Sequence, residues 1–169
     1  TFARMADEDK NYNATIISSD KDLLQLISDE VNVKLLKQKD YILMDEKTFF
    51  DTYGVEPIKM IDLKSLMGDA SDNIPGVAGV GEKIAQNLIE KYENLDNVYA
   101  HIDEISGKLH DKLVEGKDVA YLSKDLATIN LDYDIKCELQ DFKYDFPFSS
   151  DVYKFFKKYQ FNSLLKRSE

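Results

Sequence analysis

The chain has 169 residues, 43% of them hydrophobic and 32% charged, and a net charge of −10. That balance reads as a folded globular domain with a core of its own and excludes a disordered acidic chain. No apolar run approaches a membrane span, and the opening TFARMADEDK has no signal-peptide pattern.

The single cysteine, Cys137, excludes an internal disulfide, fits a reducing cytoplasm, and is expected to be a buried or half-buried thiol. The negative charge argues only weakly against a nucleic-acid partner. Binding uses one face, and an acidic cluster changes sign once it holds divalent cations.

In chain order, residues 1–10 read as the end of a helix. NATIISSD (13–20) is an apolar, β-branched run that stops at an acid, as a buried strand does. KDLLQLIS (21–28) has helical spacing. VNVKLLK (31–37) reads as a second strand and YILMD (41–45) as a short edge strand. DEKTFFDTYG (45–54) is a helix with Asp45 as N-cap and Gly54 as its stop. EPIKMIDLKSLMGD (56–69) is a helix with Pro57 in its first turn. EKIAQNLIEKY (82–92) is strongly helical, and residues 94–105, 108–124 and 150–166 read as further helices. Within the last, VYKFFKKYQF (152–161) reads as a core-facing helix with its lysines outward rather than a base-stacking platform.

Two pairs of acids stand out. Asp20 and Asp22 lie where the first strand gives way to the next element, the place where α/β sheets gather ligands. Asp69 and Asp72, three apart, are expected on one side of a helical turn. Four carboxylates without a Cys/His set suit Mg²⁺ or Mn²⁺ rather than zinc. The plain alternative is that Asp20 and Asp72 merely cap or turn the chain.

NIPGVAGVGEKIA places glycines at 76, 79 and 81 just before a helix, with Lys83 in its first turn. Lysine is unfavourable there for the helix dipole, and makes sense if it meets a phosphate. The loop reads either as a sequence-independent grip on a sugar–phosphate backbone or as a tight helix–helix connection. It is neither a Walker loop nor a dinucleotide fingerprint. His101 and His110 read as surface residues.

IISSDKDLLQLIS, LMGDASDNIPGVAGVGEKIAQNLI and DVAYLSKDLATI, in this order, resemble the 5′-nuclease family. That family comprises the 5′→3′ exonuclease domain of bacterial DNA polymerase I, stand-alone bacterial 5′→3′ exonucleases and flap endonucleases. The resemblance implies an α/β fold: the C-terminal part of a PIN-like nuclease core with a helix–turn–helix DNA-binding arm, mostly helical. It implies a remainder of the α/β core over 1–55, the DNA-binding region over 56–110 and C-terminal helices packing on the core over 111–169. Asp20, Asp22, Asp69 and Asp72 match the family's metal acids. Gly76, Gly79, Gly81 and Lys83 match its DNA grip. The carbonyls of Pro75, Val77 and Val80 match a monovalent-cation site, often K⁺.

The implied activity is structure-selective hydrolysis of DNA phosphodiesters at 5′ ends or flaps by two divalent ions, in the bacterial cytoplasm. The protein is expected to be a monomer, and a polymerase domain can follow in the parent chain. The first strand, first acids and helical arch of the family have no counterpart here, and TFARMA resembles the tail of its acidic helix. The chain is therefore expected to be the C-terminal portion of such a domain, binding DNA weakly and cleaving it poorly or not at all by itself. The competing expectation is a duplex-DNA-binding module with structural acids and no catalysis.

Overall fold

A computed structural model describes residues 1–38, 40–143 and 150–168; part of the expected C-terminal helical segment, residues 144–149 and 169, lies outside the described residues. The chain forms two compact units, Thr1–Ile135 and Lys136–Glu169.

In the first unit a helix α1 (Phe2–Asp9) leads into strand β1 (Ala14–Ser18), followed by β2 (Val31–Leu36) and β3 (Tyr41–Met44). The sheet order is β1-β2-β3, with β1 parallel to β2 and β3 antiparallel to it. The parallel pair needs a crossover, which residues 19–30 supply. That crossover is a 3-10 turn (Asp22–Leu26) and not the expected longer helix. Ile27 turns extended, so the segment is too short for regular i→i+4 bonding. β1 is also less buried than expected. Its residues alternate, and Ile17 is 64% exposed, because β1 is an edge strand with helices against one face.

Helix α2 (Glu46–Tyr53) has the bounds expected of it. The Asp45 carboxylate accepts the Thr48 N–H at 2.7 Å, and Gly54 closes the helix at φ 73°. A 3-10 turn at Pro57–Lys59 opens α3 (Met60–Met67). Met60, Asp62, Leu63, Lys64, Ser65 and Leu66 of α3 are all buried. Helices α4 (Glu82–Tyr92), α5 (Leu95–Ala100) and α7 (Lys117–Ala127) pack around α3. Ala85, Leu88, Ile89 and Tyr92 form the buried stripe of α4 at helical spacing. One apolar cluster runs from Leu24, Val33 and Phe49 through Leu66 to Val98 and Leu113.

The long helix expected over 108–124 is two: α6 (Lys108–Glu115) and α7, broken at Gly116. A Cβ at Gly116 would lie 2.8 Å from the Val77 side chain, so the corner is shaped by what packs into it. Residues 94–105 likewise split into α5 and a 3-10 turn at Ile102–Glu104. Cys137 is exposed, contrary to expectation, in a stretch without regular structure.

The second unit holds a 3-10 turn (Leu139–Phe142), α8 (Ser150–Lys158) and α9 (Asn162–Ser168). None of the residues of α8 is buried, whereas a core-facing helix was expected here. Phe155 of α8 packs on two rings that follow the helix, Tyr159 at 4.7 Å and Phe161 at 6.2 Å between centroids. Among the described residues, no helix is long and apolar enough to cross a membrane.

Candidate metal and nucleic-acid site

The acids are set in place by short-range bonds at two loop ends. After β1, the Ser18 hydroxyl accepts the Asp20 N–H at 3.1 Å, and the Asp20 carboxylate accepts the Asp22 N–H at 2.9 Å. These two side-chain turns reverse the chain and start the 3-10 turn with Asp22. Asp20 therefore performs the bland turning role that its sequence position allowed.

Asp69 and Asp72 do not share a helical turn, as their spacing suggested. Helix α3 ends at Gly68 (φ 74°), where a Cβ would meet the Ile74 and Pro75 carbonyl oxygens at 2.6 and 2.8 Å. Asp69 and Ile74 then exchange both backbone hydrogen bonds, at 2.9 and 2.8 Å. The closed loop between them carries Asp72, with Asn73 at φ 57° completing the reversal. The Asp69 carboxylate accepts from both the amide and the hydroxyl of Ser71.

Asp22, Asp69 and Asp72 converge, each offering a carboxylate oxygen within 4.8 Å of the others. Asp20 does not join that triangle, but lines the same open recess of about 400 Å³ with Ser19, Lys21 and Ser71. Lys64, which the motifs did not single out, belongs to this site. Its side chain is 3% exposed, and its ammonium pairs with Asp22 and, at 2.6 Å, with Asp69. That ammonium, followed by the Ser71 hydroxyl, pulls the Asp69 carboxyl down to about 2. Its helix, MIDLKSLM, carries Asp62, Lys64 and Ser65 among apolar residues, and nothing in that spacing singles out the lysine.

The donor set fits a hard divalent cation. Three converging carboxylates, without imidazole or thiolate in the cluster, share the Lys64 ammonium, so negative charge is left over among them.

The glycine loop divides into anchor and tip. Gly76 is buried at φ 61°; its Cβ would lie 2.2 Å from the Gly68 nitrogen, and its N–H donates to the Ser123 hydroxyl at 3.0 Å. It packs against the end of α3 and anchors the loop. Val77 and Val80 are buried, the Val77 N–H reaches the Leu66 carbonyl, and the Val77 carbonyl accepts the Val80 N–H at 3.0 Å. Pro75, Gly79 (φ 75°), Gly81 and Lys83 are exposed, and Gly81 is the extended residue before α4. A second lysine outside the motifs, Lys112 of α6, places its ammonium on the Gly79 carbonyl at 3.0 Å. His101 is exposed and stacks on Tyr92, and His110 faces Asp111.

Comparison with known proteins bears on both halves of this site. The chain is 40% identical over 170 residues to DNA polymerase I of Bacillus subtilis, covering 99% of this chain and 19% of that protein. It is 39% identical over 129 residues to the 5′-3′ exonuclease of the same organism, covering 75% of this chain and 44% of that one. It thus spans about a fifth of the polymerase and under half of the exonuclease. Among solved structures, bacteriophage T5 5′-exonuclease with bound zinc matches with a TM-score of 0.62 at 24% identity, over 75% of this chain and 46% of that one. The T5 flap endonuclease complex with DNA and metal ions matches with a TM-score of 0.63 at 23% identity, over the same shares. At that identity the likeness establishes a shared fold. The family described as 5′-3′ exonuclease, C-terminal SAM fold, matches residues 55–149, more than half of the chain and the whole of the glycine loop with Asp69 and Asp72, and the chain belongs to that family.

Proposed function

We propose that this chain carries the second acidic pair and the DNA grip of a bacterial, cytoplasmic 5′→3′ exonuclease or flap endonuclease that hydrolyses DNA phosphodiesters with divalent metal. The observation that carries the reading is the convergence of Asp22, Asp69 and Asp72 from two separate loops. Asp20, on the same recess, completes the four acids. Mg²⁺ or Mn²⁺ is the cation such oxygen ligands favour. When bound, divalent ions supply an activated water and a counter-charge for the leaving oxygen.

The residues themselves do the positioning. The Asp69–Ile74 pairing fixes one carboxylate and the Ser18–Asp20–Asp22 chain of bonds fixes another. At the loop tip, Gly79 and Gly81 let a phosphate backbone approach, and Lys83 and Lys112 bring positive charge to it. The carbonyls of Pro75, Val77 and Val80 are the donors for a monovalent ion, K⁺ by family resemblance. The partner is duplex or flapped DNA, bound by a monomer without reading sequence. A polymerase domain in the parent chain accords with the relatives that carry that name.

The rival reading, a DNA-binding module with structural acids, draws on Lys64, which already pairs two of them. Calorimetric titration with Mn²⁺ separates the two. Saturable binding, lost in an Asp69→Ala/Asp72→Ala variant, supports the metal site; a wild type that takes up no ion while still binding duplex DNA supports the rival. DNA binding followed by anisotropy tests the grip. Lys83→Ala is expected to weaken binding equally for unrelated sequences and to lower the salt slope by about 1. A sequence-dependent loss would sink the backbone reading.

A further inference from the structure

Lys64 occupies the position that gives the acidic cluster its charge balance. It projects from α3, whose neighbouring residues are buried, and its ammonium bridges Asp22 on one loop and Asp69 on the other. These are two of the three carboxylates that approach one another within 4.8 Å. A buried ammonium is costly unless it is paired, and the half-buried carboxylates of Asp22 and Asp69 supply that pairing. The lysine and the acids therefore satisfy each other in the ion-free protein.

We propose that Lys64 is a tethered counter-cation of this site, holding Asp22 and Asp69 together in the ion-free protein and giving way when a divalent cation binds. The proposal rests on the reading of these acids as metal ligands. The ion-free protein keeps its loops closed without metal, because the carboxylates are not left to repel one another. Divalent affinity is lowered, because each binding event must break the two ion pairs. The four-carbon stem of lysine allows such a withdrawal, whereas the planar fork of arginine is pre-organised for carboxylates.

The test uses the full chain and Mn²⁺. In calorimetry, Lys64→Met is expected to bind Mn²⁺ roughly tenfold or more tightly than wild type, since converging carboxylates left without a counter-charge gain most from a cation. Equal or weaker binding in Lys64→Met would show that ammonium and ion act side by side, and would overturn the proposal. A second measurement needs no variant. Acetylation of wild type followed by mass spectrometry is expected to spare Lys64 without ion and to modify it at saturating Mg²⁺. Protection that persists while Mg²⁺ demonstrably binds overturns the proposal and leaves the metal reading standing. Absence of divalent binding in both wild type and Lys64→Met overturns both.

Discussion

The Gly76 N–H donates to the buried Ser123 hydroxyl at 3.0 Å, so the glycine loop is bolted to α7, 47 residues further along the chain. The bond matters because Gly76 is buried, pressed against the end of α3. Ser123→Ala leaves that amide without its partner. A loss of about 1–3 kcal/mol is expected in urea unfolding, the cost of a buried unsatisfied donor. An unchanged midpoint would mean that the amide finds another acceptor, and that α7 does not hold the loop.

Two glycines of the same loop separate packing from access. Both have positive φ, 61° at Gly76 and 75° at Gly79. At Gly76 an added Cβ runs into the backbone of Met67 and Gly68. At Gly79 it meets the movable end of Lys112 at 2.4 Å. Gly76→Ala is therefore expected to cost more than about 4 kcal/mol and to abolish the fold's cooperativity. Gly79→Ala is expected to cost about 1–2 kcal/mol, the left-handed penalty, and to weaken DNA binding more than stability. Similar unfolding midpoints for the two variants would remove the distinction between anchor and tip.

The features legible in the sequence are local ones. Asp45 and Gly54 bound α2 because a cap and a left-handed stop act within a few residues. The acids are legible as a set, since their residue types and loop-end positions are sequence properties. Their geometry is not. The spacing of Asp69 and Asp72 suits a helical turn, but Gly68 ends α3 one residue earlier and the Asp69–Ile74 pairing takes over. Gly116 breaks a helix because Val77, far away in sequence, packs into the corner. Lys64 and Lys112 escape notice for the same reason: a lysine's role depends on which distant acid or carbonyl the fold brings to it.

A second network ties the helices beneath the site. The Asp62 carboxylate accepts the Leu95 N–H at 3.1 Å, so a residue of α3 satisfies the first turn of α5. Lys124 of α7 reaches Asp62 at 3.6 Å and Asp96 at 2.8 Å. Asp62 is nearly buried, whereas the Asp96 side chain is 61% exposed. Asp62→Ala is expected to cost about 2–3 kcal/mol, because a charge-assisted bond to a buried amide is lost. Asp96→Ala is expected to cost under about 1 kcal/mol, as solvent screens its pair with Lys124. Guanidinium unfolding of the two variants measures the contrast, and a larger loss in Asp96→Ala would contradict it.

Alkaline stability should depend on Tyr99. Burial raises its hydroxyl from the ordinary 10.0 to about 12, and the hydroxyl donates to the Leu113 carbonyl at 3.1 Å. Tyr121, beside it, is raised to about 12 by burial and by its bond to Asp96. A pKa raised on folding means that the native state keeps a proton that the unfolded chain has already released. The contribution to stability is complete below pH 10 and disappears as pH climbs toward 12. Urea midpoints are expected to fall across that interval in wild type, and less steeply in Tyr99→Phe, which has no proton to lose. Tyr99→Phe should start lower at neutral pH, by about 1 kcal/mol for the lost hydrogen bond, so the two curves converge as the solution becomes alkaline. Parallel curves would mean that Tyr99 ionises in the native state as readily as in the unfolded one, and that the hydroxyl is not held as its burial requires.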